Sequence, residues 1–481
     1  TLGSRTVAKL MIGTIAALVA YHQPARAAEL AAQDIALLDR LTWGVNASSA
    51  AHLREVGTER WLQEQLHPAG TVLPDAVQKQ IEAKPDVHRF PFDIAASFDQ
   101  QGKSANQVAD PEQKKAAQQV YQQAMNDRAR QAAARTILRA LYAPDQLRER
   151  LTWFWFNHFN VHQYKANIRV LVGDYEDRAI RANALGKFRN LLSATLHHPV
   201  MLRYLDNADN AAGHLNENYA REIMELHTLG VGGGYTQDDV TSLARVITGW
   251  TFAGRQGQLG APGSFVFNAN AHQPGPQQVL GKTYAQAGIA QGEAVLSDIA
   301  RHPSTAKFIA TKFARHFVAD DPPPALVARL QDTFSKTDGD LRALATALVG
   351  SNEAWQAPLT KMRSPYEFLV ASGRLLARNP EDPGRYLNGL NVLGQPLWSP
   401  AGPNGFPDTA AAWAAPEGLK LRLDISAQLA SQLADKFDPR DLLELIAADA
   451  ASPETRRTIE RAESRQQALA LLLMSPEFQR R

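Results

Sequence analysis

Helix-start and helix-stop signals recur along this chain, and strand signals hardly occur. Asp110-Pro111-Glu112 sets an N-cap and a first-turn proline ahead of an Ala/Gln-rich run that reaches Leu141. Ser364-Pro365-Tyr366-Glu367 is a capping box with proline at the first helical position, and Thr236 to Asp239 repeats the device with Asp in place of Glu. Between such signals, apolar residues fall at three- and four-residue steps, the period of helices that bury one face. The pattern predicts a mainly α protein, a multi-helix orthogonal or bundle-like assembly. One stretch departs from it. Residues 251–286 are rich in Gly, Pro and Gln, with short β-like pieces at Ser264 to Phe267 and Gln278 to Leu280. A long Gly/Pro loop or small β-hairpin is expected there, lying over the candidate residues discussed below.

With 481 residues, the chain can bury a large core without covalent staples. It needs to, because it has 0 cysteines; disulfides, thiolate nucleophiles, Cys-ligated zinc and iron–sulfur clusters are excluded. Arg5 and Lys9 precede an apolar run from Leu10 to Tyr21, and Pro24-Ala25-Arg26-Ala27 supplies a small-x-small site. This reads as a secretion signal over 1–27 with cleavage after Ala27, the alternative being an uncleaved N-terminal anchor. The run is shorter than the ~20 residues of a spanning helix, so no membrane span is expected after cleavage, and the compartment is periplasmic or secreted. Removing Arg5, Lys9 and Arg26 leaves 48 bases against 49 acids. A near-neutral chain without a basic patch gives no basis for nucleic-acid binding. The rest divides into an N-terminal helical segment with an Ala/Gln-rich arm (28–142), a central helical core carrying the candidate site (143–320) and a C-terminal helical segment packed on it (321–481).

Two stretches hold the residue types that carry chemistry. In Arg148 to His162, Leu147, Leu151, Phe154 and Trp155 form an apolar stripe, and His158 and His162 continue it at helical steps. Four apart on one face, both rings would reach one point, the geometry of a two-histidine metal arm, though without the Glu of an HExxH motif. The alternative is a pair of core histidines hydrogen-bonded to neighbours. In Asn216 to Trp250, Asn216 caps a helix expected from Glu217 to Leu229, which Gly230 ends. Asn218, Glu222 and Glu225 share one face of it, Arg221 pairs with Glu217 and Glu225, and His227 is nearby. Ile223, Met224 and Leu226 leave no clean polar side, so some of these charges should be buried and need partners. A solvated charged face is the alternative. The Glu222/Glu225/His227 spacing does not match the Glu-x-x-His of di-iron bundles, and no nucleotide loop or G-x-S-x-G elbow occurs.

Long segments carry a resemblance: LLDRLTWG from Leu37, RERLTWFWFNHFNV, HPVMLRYLDN, LNENYAREIMELHTLGVGGGYTQDDVTSLARVITGW, RHPSTAKFIATKFARHFVADDPP and GQPLWSPAGPNGFPDTAAAW. Through these the chain closely resembles the bacterial family catalogued as domain of unknown function 1800, from about Leu37 to the C-terminal helices. The resemblance implies an exported, mainly helical protein working beside a sulfatase-like exported partner, without an established activity. Family members commonly carry His-Asp and a later Lys after the GW motif, where this chain reads His272-Gln273-Pro274-Gly275-Pro276-Gln277. His272 therefore ranks below the other candidates.

The leading expectation is an enzyme acting on envelope or extracellular material such as polysaccharide, a metal-assisted hydrolase. His158 and His162 would hold a divalent metal. Glu222, Glu225, Arg221 and His227 would do the chemistry, and Asn157, Asn218, Trp250 and His272 would contact substrate. The rival is a non-catalytic binding or assembly protein in which the same residues form a buried polar network that fixes helix register.

Overall fold

The computed structural model describes residues 30–70, 72–85, 88–254, 259–377 and 382–481. The stretch 1–27, expected to be a secretion signal, lies outside them. The described residues form twenty-five α-helices and four three-residue strands, so the fold is mainly α. No helix among them is long and apolar enough to cross a membrane. One continuous buried apolar cluster runs from Ile35 to Phe478, and a smaller one gathers Leu73, Val77, Ile81, Leu138 and Ala143.

Local signals act where they were read. Asp110 accepts from Gln113 N and opens Pro111–Tyr142, a helix of 32 residues. Both capping boxes form, at Thr236/Asp239 and at Ser364/Glu367. The Pro303–Phe317 helix is capped by the side chain of His302, which accepts from Ser304 N.

The 251–286 region resolves into two separate antiparallel pairs, Trp250–Phe252 with Phe265–Phe267 and Gln277–Val279 with Lys282–Tyr284. The first pair packs through Trp250, whose ring meets His197 at 4.7 Å and Phe265 at 5.8 Å. Gly292, buried on the Ile289–Arg301 helix, lies so close that any Cβ would overlap Trp250 Cζ2. Gly292→Ala should therefore lower stability by about 1–3 kcal/mol, the usual cost of overpacking. An unchanged urea midpoint would contradict that packing.

Two helical segments widen to π geometry, Tyr175–Ile180 and Ile223–His227. Such wide turns are locally unfavourable and recur at functional positions. Each carries a buried titratable side chain, Glu176 and His227. Burial pushes Glu176 up to about 7, against the hydrogen bonds from Thr136 and the Trp398 indole that favour its charge.

Candidate functional site

The Gln146–His158 helix meets the Pro303–Phe317 helix along a polar seam. On the first, Arg150, Phe154 and His158 are one turn apart, and so on the second are His316, Lys312 and Phe308, in the opposite direction. Arg150 Nη2 lies 3.5 Å from His316 Nε2, Phe154 packs on His316 at 5.1 Å, and His158 Nδ1 lies 3.0 Å from Lys312 Nζ. The Phe308 ring closes the line, 5.4 Å from Lys312 Nζ.

At one end of the seam each charged group has a partner of opposite charge, although Arg150 Nε makes no hydrogen bond among the described residues. Glu367 accepts from Arg150 at 2.7 Å and from Arg481 at 2.6 Å, and its second oxygen accepts from Ser364 N at 2.8 Å. Asp408 accepts from His316 Nδ1 at 2.9 Å and pairs with Lys361 at 3.1 Å; Lys361 also reaches Asp320 at 2.9 Å. Burial alone would raise both carboxylates. Arg481 and Arg150 instead hold Glu367 well below the usual range, and His316 and Lys361 do the same for Asp408. Burial lowers His316 to about 4, more than Asp408 raises it. Trp153, Phe154, Asn157, His316, Glu367 and Asp408 border a cavity of about 20 Å³, room for roughly one water.

The other end is different. His158 Nε2 is 3.0 Å from the carbonyl oxygen of His227. A carbonyl only accepts, so Nε2 carries the proton, and in the neutral ring Nδ1 is the acceptor of a Lys312 N–H. Burial and then Lys312 hold His158 well below its ordinary value. The same two causes bring His227 to about 3. The His227 ring lies 6.4 Å from that of His158 and 5.2 Å from Phe159, and its buried Nδ1 has no hydrogen-bond partner. Among the described residues Lys312 has no carboxylate in ion-pair contact; burial lowers it to about 8, against the pull of Asp408.

The sequence candidates scatter around this junction. His158 and His227 are brought together. His162 is not, because the helix ends at His158 with Phe159 as its C-cap. The expectation that His158 and His162 continue one helical stripe is thus corrected: His162 lies in the following turn, where its Nδ1 accepts from Tyr164 N and its ring lies 5.9 Å from that of Tyr164. The predicted Glu217–Leu229 helix is likewise shorter and wider, running Asn218–Glu222 and then through the π turn to His227. Gly230 ends it with φ +84, and a Cβ there would press on Phe308.

Among the described residues Glu222 and Glu225 have no hydrogen-bond or ion-pair partner. Burial and Glu225 raise Glu222, and both carboxylates act on Tyr235. Arg221 pairs with Glu217 at 3.3 Å and reaches Gln237 at 3.0 Å. Asn218 bonds Leu205 O at 3.4 Å, and His272 bonds Thr248 O at 3.0 Å. Asn157 clamps Phe406 through both its backbone groups, at 2.9 and 2.7 Å; Gly405, at φ +76, allows that approach, since a Cβ would overlap Asn157. Trp250 is core.

A structural or catalytic divalent ion of the transition series takes three or more converging donors from the protein. Among the described residues no group of three His, Asp or Glu side chains is placed to hold one, and both ring nitrogens of His158 are engaged. The residues do not fit a metal at His158 and His162. Lys312, His316, Glu367 and Asp408 escaped the sequence reading. The available signal was Lys312 and His316 at i,i+4, interrupting the apolar run of FIATKFARHFV. A wider cleft of about 590 Å³ lies elsewhere, among Leu369, Tyr386, Val392, Ile425 and Leu429; no His, Lys or Glu lines it.

Fold and junction together define a mainly α protein with a buried lysine–histidine centre beside a paired ionic seam. The chain belongs to the family described as protein of unknown function DUF1800, which it matches over residues 36–480. No curated protein and no solved structure matches it.

Proposed function

We propose that this protein is an exported enzyme acting on envelope or extracellular material such as polysaccharide, with its acid–base centre where Lys312, His158 and His227 meet. One contrast carries the reading. Lys361 and Arg150 are buried in the same seam and each has a carboxylate partner, whereas Lys312 is held only by a neutral imidazole. A lysine kept for stability gains from a carboxylate; one kept close to neutrality gains the ability to take or give a proton near physiological pH. His227, neutral and with a free ring nitrogen, is the second proton-bearing group. The basic start and apolar run of residues 1–27, read as a leader, support the periplasmic or secreted setting, and the family resemblance supports a sulfatase-like exported partner.

The Arg150–Glu367–Arg481–His316–Asp408 end favours the second reading, assembly or binding without turnover, because its groups satisfy one another. Lys312→Met separates the two. The enzyme reading expects turnover on a panel of envelope polysaccharides to vanish while the melting temperature holds or rises, since an unpaired buried charge is removed. A fall in melting temperature with no turnover in the wild type on any member of the panel would leave the assembly reading standing instead.

A further inference from the structure

We propose that Lys312 is a nucleophilic amine that bonds to a carbonyl carbon, so that the ligand of this centre is an aldehyde or ketone, such as the open-chain reducing end of a saccharide. The inference rests on reading the Lys312–His158–His227 junction as the functional centre.

Four observations converge on it. Lys312 Nζ has one hydrogen-bond partner, His158 Nδ1 at 3.0 Å, which leaves the nitrogen lone pair uncommitted when the amine is neutral. The acid that acts on it, Asp408, is already engaged by His316 and Lys361. The Phe308 ring forms an apolar wall beside it. Lys312 as a residue is nevertheless only half-buried, and bond formation requires that a small carbonyl compound reach its nitrogen. Burial adds to these, because an amine lowered to about 8 is neutral in roughly a tenth of molecules at pH 7, against well under a thousandth for an ordinary lysine. Desolvated lysines in apolar surroundings are the ones that form Schiff bases.

In the step itself the lone pair of Nζ attacks the carbonyl carbon, a C–N bond forms, and the carbonyl oxygen becomes a hydroxyl. Loss of that hydroxyl as water breaks the C–O bond and leaves an imine. Both protons of the amine end in the water, the first leaving Nζ toward His158 Nδ1. The open Nδ1 of His227 is the group free to hydrogen-bond the departing oxygen.

The experiment is reductive trapping on the whole protein, with glyceraldehyde as the probe and cyanoborohydride as the reductant, followed by peptide mass spectrometry at pH 7. Lys312 is expected to be alkylated at least tenfold faster than Lys336 and Lys420, whose side chains are 73% and 74% exposed. Lys312→Arg and Lys312→Met should remove that fast site and leave the slow ones. Alkylation of Lys312 no faster than of Lys336 and Lys420 overturns the carbonyl assignment, whatever happens to turnover. Polysaccharide turnover that survives Lys312→Met overturns the centre itself, so the two failures are told apart.

Discussion

Glu367→Ala should cost about 3–5 kcal/mol, the loss that follows when one partner of a buried ion pair is removed, and more than any substitution at the Lys312 junction. The carboxylate binds two guanidiniums that are themselves fully buried, those of Arg150 and Arg481. Without it both remain in the core as unpaired charges. The same side chain completes the capping box of the Pro365–Leu375 helix through Ser364 N, so roughly another 1 kcal/mol of cap energy goes with it. Urea unfolding of Glu367→Ala and Glu367→Gln measures this. A midpoint close to that of the wild type would mean that the seam is not what holds the two helices in register. The comparison with Lys312→Met is informative because the signs are opposite: one substitution removes the counter-charge, the other a charge that has none.

Acid should destabilise the protein from pH 6.5 downward. His158, His227 and His316 are buried neutral, with His227 lowered from 6.5 to about 3 and His316 from 6.5 to about 4. The unfolded chain takes up these protons as pH falls through 6.5. The native chain does not until about 4 and then 3. Throughout that window the unfolded state binds more protons at these three histidines, so they make stability rise with pH and fall on acidification, while Glu176, raised from 4.5 to about 7, opposes them with one proton. Glu367 and Asp408 extend the loss: their folded values lie below the unfolded ones, so the stability they contribute above the unfolded value disappears as pH drops through the folded value. Lys312 works at the other end. Lowered from 10.5 to about 8, it makes stability rise between those values as the unfolded lysine stays protonated longer. Melting temperatures from pH 8 to pH 4.5 should trace this slope, and His227→Phe should flatten it. A melting temperature unchanged between pH 7 and pH 5 would contradict the burial of neutral histidines.

The helical architecture was readable because its signals are short-range. Asp110, Thr236 and Ser364 each bond a backbone N–H three residues on, and a proline or glycine marks many ends. The strands at 265–267 and 277–279 were visible as pieces, but their pairing into two separate hairpins depends on partners, Trp250–Phe252 and Lys282–Tyr284, that are only three residues long and too short to show an alternating pattern. Where a local reading failed, a distant contact had intervened. The stripe ending in His158 and His162 has helical spacing throughout, yet the helix stops at His158; Gln163, just past the break, donates its backbone N–H to Trp398 O at 2.9 Å. The helix before Gly230 ends at His227, two residues short of the predicted Leu229, and widens at Ile223, whose carbonyl accepts from Thr228 Oγ1 at 2.6 Å.

From the residues alone come the α class, the helix starts and stops, the absence of any disulfide and the presence of His158 and His227 among the chemically competent groups. These follow from bonding within three or four residues and from composition. Only the tertiary structure decides that Lys312 meets His158 across 154 positions of chain, that Glu367 gathers Arg150 across 217, and that the half-buried Lys312, unlike Arg150 and Lys361, has no ion-pair carboxylate among the described residues. Spacing along a helix says which side chains share a face. It does not say which other face they meet, because that is chosen by how all the apolar surfaces of the molecule pack at once.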